Sequence, residues 1–167
     1  MIRVPARTGR TGAIAARVVC AVGLGVDAVV HWQLAADYQL AAPGGIGQGH
    51  LFRIEAVTAV LVAAVVLVSG ARVAFAAALL VAASAVGAVL LYRYVDVPAF
   101  GPIPSMYEPI WFAKKTVSAV AEGVAVIAAT IGVITARQTD PQHWSEHRFG
   151  LFVRRGTSPV ALLKEEV

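Results

Sequence analysis

The chain has 167 residues, of which 58% are hydrophobic and 14% charged, and its mean hydropathy is +0.72. A soluble domain carries about 25% charged residues, so this composition excludes a soluble enzyme, a secreted disulfide scaffold and a disordered chain. The net charge of +4 does not point to nucleic acid, because the basic residues are informative through their positions rather than their sum.

The first apolar segment runs from about Val18 to Ala36. It rises about 28 Å, enough to cross a hydrocarbon core of ~30 Å. Its flank is basic, but no Ala-x-Ala cleavage site precedes a mature domain, so it reads as a retained signal anchor. The single cysteine, Cys20, can form no internal disulfide and is expected as a small buried hydrophobe. Trp32 and Tyr38 have the amphipathic rings that collect at a membrane interface. Residues 42–49, with Pro43 and four glycines, form a loop.

The second segment runs from about Leu51 to Val68, and Ser69-Gly70-Ala71-Arg72 is a tight turn. The third runs from Val73 to Tyr94 and places Ala74, Ala78, Ala82 and Ala85 on one face. Small residues at that spacing let another helix approach closely, within the bundle or in a homo-oligomer. Pro98, Pro102, Pro104 and Pro109 make 96–109 an ordered, non-helical span, either a stiff connection or a lid over the bundle. The fourth segment runs from Ile110 to Ala136, with Pro109 suited to its first turn. Residues 1–136 form the transmembrane domain and 137–167 a cytoplasmic tail, with a short interfacial helix near Trp144–Val153. His143 and His147 share a face of that stretch, which suits a solvated surface better than a metal pair.

Arg3, Arg7, Arg10, Arg17, Arg72, Arg137, Arg148, Arg154, Arg155 and Lys164 flank one side of the four segments. The connections 37–50 and 95–108 contain no Lys or Arg. The positive-inside rule then puts both termini in the cytoplasm and both longer loops outside. The expected fold is an all-α, up-down four-helix bundle in a cell membrane. The alanine- and valine-rich composition is that of a high-GC bacterial genome.

Charged side chains in a membrane are costly and face the bundle interior. Asp27 lies about 14 Å below the outer end of the first segment, with His31 one turn above it on the same face. Lys115, Ser118 and Glu122 form a stripe on the fourth segment, and Glu55 and Thr58 one on the second. Arg93 closes the third segment. Arg53 is rotated away from Glu55, and Lys114 away from Lys115, so one of each pair is expected outside the bundle. The acids Asp27, Glu55 and Glu122 are balanced by Lys115, Arg93 and Arg53 and are expected to pair with them.

Two readings follow. In one, Asp27, His31, Glu55, Arg93, Lys115, Ser118 and Glu122 line an outward-facing polar pocket. That pocket would hold a small ligand (a lipid fragment, a quinone or an extracellular solute) with proton or redox coupling through Asp27 and His31. In the other, the same charges form an internal ion-pair network in an accessory subunit whose partners are a membrane complex and membrane lipid. A small metalloenzyme is a further alternative, since Asp27, His31, Glu55 and Glu122 offer one nitrogen and three carboxylates. The Glu-x-x-His signature of di-iron bundles is absent. A bis-histidine haem would have to use His31 and His50, and a nucleophilic site would rest on Ser118 beside Lys115. No resident cofactor is assigned.

Overall fold

The structure is a computed structural model that describes residues 7–40, 46–101 and 103–136. It is all-helical: α1 spans Arg7–Leu40, α2 Gln48–Ser69, α3 Arg72–Tyr94 and α4 Ala113–Thr135. All four helices are long and apolar enough to cross a membrane. Residues 42–45 of the expected loop and the whole tail, with His143, His147 and the 144–153 stretch, lie outside the described residues, while Gln48 and Gly49, expected in that loop, are already in α2.

Helix α1 extends well beyond the expected Val18–Ala36 at both ends. An apolar run marks only the part that needs hydrocarbon. The amino-terminal flank carries three alanines (Ala13, Ala15, Ala16) and three arginines (Arg7, Arg10, Arg17), which propagate a helix at little cost. Helix α2 ends at Gly70, whose left-handed backbone (φ 54) returns its N–H to the Val66 carbonyl. The Arg17 side chain lies directly against this glycine, so a cation sits at the carboxy-terminal end of α2, where the helix dipole favours one.

The start of α4 differs from expectation. Pro109 does not open the helix; residues 104–112 are non-helical and α4 begins at Ala113, with Phe112 as its extended cap. The span is instead tied down by other bonds. Glu108 N–H donates to the Tyr92 carbonyl at the end of α3, and Gln48 Nε2 donates to the Ser105 carbonyl. Phe100 and Ile103 pair across a tight turn at Gly101 (φ 57). The start of α2 and the connection before α4 therefore meet at one end of the bundle, the loop end. The Gly70–Ala71 turn lies at the other.

Helix α1 packs mainly against α2 and α4, and α3 mainly against α4. The core is built from small residues: Ala59 and Ala63 of α2, Ala78 and Ala82 of α3, Ala125 and Ala129 of α4, filled out by Cys20, Leu24, Val66 and Phe75. The alanine face expected on α3 is thus buried inside the bundle. Between helices in lipid there is little hydrophobic driving force, so dispersion across close backbones must supply the attraction. At Gly23 a methyl group would stand 2.8 Å from the Ala121 carbonyl oxygen, which shows how near α1 and α4 come. Large apolar side chains point outward instead, among them Val22, Val29, Leu61, Leu80, Ile127 and Ile134.

Ala82→Leu should therefore force the α3 seam apart and lower stability by about 1–3 kcal/mol. Thermal unfolding in detergent measures this. An unchanged transition would mean that the seam can open without loss.

Candidate functional site

Near the middle of α1 the alanine core gives way to polar groups. Among the described residues, Asp27, His31, Lys115, Ser118 and Glu122 are the buried polar and charged ones, and Asp27 and Glu122 are 1% and 0% exposed. Two i,i+4 pairs on facing helices build the centre: Asp27 with His31 on α1, and Ser118 with Glu122 on α4. Ser118 Oγ lies 2.6 Å from Asp27 Oδ1 and 2.8 Å from Glu122 Oε1. His31 Nδ1 lies 2.7 Å from the same Asp27 Oδ1 and 3.2 Å from the Asp27 carbonyl. A continuous chain of contacts thus joins Glu122, Ser118, Asp27 and His31.

This chain is short of donors. A serine hydroxyl has one hydrogen, yet Ser118 faces two carboxylate oxygens. Asp27 Oδ2, Glu122 Oε2 and Glu55 Oε1 are buried with no hydrogen-bond partner at all. Buried polar atoms are rarely left so.

The expected pairing of the three acids with Lys115, Arg93 and Arg53 does not form among the described residues, where the ion pair is His31–Asp27. The reason lies in side-chain direction. A helical side chain leans toward the amino terminus of its helix, so Lys115 points away from Glu122 and donates to the Glu108 carbonyl at 2.5 Å. Its ammonium also lies 5.7 Å from the Trp111 ring centre. Arg93 lies over the Tyr94 ring, 5.1 Å from its centre, rather than joining the cluster. Arg53 and Lys114 are exposed, as their rotation on the helices implies.

Above the cluster, toward the loop end, a cavity of about 330 Å³ opens between all four helices. His31, Ser118, Glu55 and Lys115 are among its polar groups, with Gln48, Ser84 and Glu108 also on the lining. Its wall is mostly apolar and aromatic: Leu34, Leu51, Phe52, Ala85, Ala88, Val89, Tyr92, Met106 and Phe112. Phe52 meets His31 edge to face at 5.2 Å and Tyr38 at 5.0 Å. The span before α4 supplies Met106, Glu108 and Phe112 to this wall.

The sequence-expected residues thus divide. Asp27, His31, Ser118 and Glu122 come together; Glu55 and Lys115 join them around the cavity; Arg93 stands apart, as does Thr58, which is not among the lining residues. His50 is exposed in the first turn of α2 while His31 is buried, so the two do not form an axial pair. The aromatic wall was missed. Its signal was present, since Phe52 stands three residues before Glu55, and Ala85, Val89 and Tyr92 follow at helical spacing. Such spacing is also that of ordinary core.

Ser118→Ala should leave two buried carboxylates without their shared hydroxyl and lower stability by about 1–3 kcal/mol. Glu122→Gln, which brings an amide donor into a donor-poor cluster, should cost less than the alanine variant. Unfolding curves of the two proteins in the same detergent test the order, and the reverse order would refute the donor deficit.

No protein-family model matches the chain, no curated protein matches it in sequence, and no solved structure matches its fold.

Proposed function

We propose that the protein is a cell-membrane binding protein for a small ring-shaped ligand of the quinone class, held in the loop-end cavity. The observation that carries this reading is the cavity itself: about 330 Å³, mostly apolar and aromatic around its wall, with His31, Ser118, Glu55 and Lys115 among its polar groups. Ligand sites have this character, with volumes of roughly 300–1,000 Å³, and the smaller end of that range suits a ring rather than a whole lipid. Phe52, Tyr92 and Phe112 offer ring faces and edges, while Lys115 and His31 offer donors for a carbonyl oxygen. A polar solute from outside would match this wall less well. An internal ion-pair network, the alternative basis for a purely structural subunit, has little support where, among the described residues, no acid of the cluster meets a Lys or Arg.

The arrangement in the membrane is part of the same proposal. An up-down bundle is supported by contacts at both ends. Gly49 of α2 meets Ala35 of α1, while Gly70 meets Arg17. Ser118 of α4 meets Asp27, and Gly132 meets Phe75 of α3. The basic residues before α1 and after α4 and in the α2–α3 turn support cytoplasmic termini. The cavity then opens on the outer side.

Cysteines placed at Ile46 and Ala99 in a Cys20→Ala background should react with an impermeant maleimide in intact cells, and one at Thr157 should not. Labelling at 157 with protection at 46 and 99 would invert the orientation.

For the ligand, Trp111 is a built-in reporter beside Lys115. In a protein with Trp32→Phe and Trp144→Phe, a short-chain benzoquinone should quench Trp111 fluorescence saturably. Ala88→Phe, which fills the cavity, should weaken that quenching at least about tenfold, or about 1.4 kcal/mol. Linear quenching untouched by Ala88→Phe would reduce the effect to partitioning into the micelle and remove the quinone reading.

A further inference from the structure

We infer that Asp27, His31 and Glu122 form a binding site for one divalent transition-metal ion of the zinc, manganese or ferrous iron class, where the cluster meets the cavity. One ligand atom from each residue lies within 4.8 Å of the others. The three come from two helices packed so closely that Gly23 cannot accept a methyl group without a shift, which fixes the spacing of the pairs.

Charge balance points to a cation. Two carboxylates and one imidazole are buried together, and among the described residues no Lys or Arg pairs with any of them. A dication offsets two carboxylates and leaves the imidazole neutral, the form in which it ligates.

The hydrogen-bond count points the same way. Asp27 Oδ2 and Glu122 Oε2 are buried lone-pair donors without a partner, on side chains 1% and 0% exposed. The single Ser118 hydrogen cannot serve both neighbouring carboxylates. A metal ion takes up lone pairs that no hydrogen reaches.

The donor set decides the class. Magnesium and calcium favour all-oxygen shells, whereas a mixed set of one imidazole and two carboxylates suits zinc, manganese or ferrous iron. Three protein ligands leave a coordination position free, as in catalytic rather than structural sites. His31 and Ser118 both line the cavity, so that position faces the space a ligand would enter. Leu24 and Ala28, near Asp27 along α1, and Ala125, near Glu122 along α4, are themselves buried.

The competing account is that a bound proton, not a metal, makes up the deficit. Elemental analysis of the full-length protein, purified without chelators and dialysed against zinc, manganese or ferrous salts in turn, separates the two. We expect about one ion per chain for at least one of them. Asp27→Asn, His31→Gln and Glu122→Gln should each lower retention at least about tenfold. The double variant His143→Gln/His147→Gln, in the tail, should retain the ion fully. Should the cluster variants fail to fold, cobalt(II) added to the unaltered protein serves instead, since a four- or five-coordinate site of one imidazole and two carboxylates gives d–d absorption stronger than that of the six-coordinate aquo ion. Metal content near zero with an unchanged cobalt spectrum, or loss of the ion only in the tail variant, overturns the inference. None of these measurements requires a quinone, so the metal site and the ligand reading stand or fall separately.

Discussion

One serine hydroxyl stands between two buried carboxylates, Asp27 on α1 and Glu122 on α4, and the loop-end half of the bundle is arranged around that contact. Ionised carboxylates inside a membrane are among the costliest groups a helix can carry. Breaking a buried polar network usually costs more than the network contributes when intact. The chain meets this constraint by concentrating its buried polar groups at one level, where His31 and Ser118 share Asp27 Oδ1 and a cavity begins immediately above. What remains unsatisfied is localised to a few carboxylate oxygens.

That concentration is possible because the rest of the interior is so plain. Alanines of α2, α3 and α4 meet along much of the bundle, and the helices lie close enough for glycine to be required at Gly23 and Gly132. Close backbones give the dispersion contacts that hold helices together in lipid. They also hold α1 and α4 at a fixed separation, which sets the distance across which Ser118 must reach. Toward the loop end larger residues line the interior without filling it, and the gap becomes the cavity. Packing at one end thus defines geometry at the other.

Lys115 ties the first turn of α4 to the connecting span. Its ammonium is turned to the Glu108 carbonyl, while Glu108 N–H is fastened to the end of α3 through Tyr92. The non-helical 104–112 stretch is thereby held against the bundle, and its Met106 and Phe112 become cavity wall. A lysine expected to neutralise an acid instead fixes the segment that shapes the site.

The amino-acid sequence by itself determined the four membrane-length helices, the turn at Gly70, the small-residue face of α3 and the stripes Asp27–His31 and Lys115–Ser118–Glu122. Each of these depends on composition or on a period of 3.6 residues, which are local properties of the chain. Only the tertiary structure decided which stripes face one another and which partner each charge takes. Asp27 meets Ser118 across 91 residues of sequence, and Lys115 turns to a backbone carbonyl that no charge pattern could mark. The aromatic wall of Phe52, Tyr92 and Phe112 was equally out of reach, because apolar residues at helical spacing look alike whether they fill a core or surround a space. Helix pairing and side-chain direction are set by packing over the whole bundle, and only there does a balanced count of charges become a cluster of acids lacking hydrogen-bond donors.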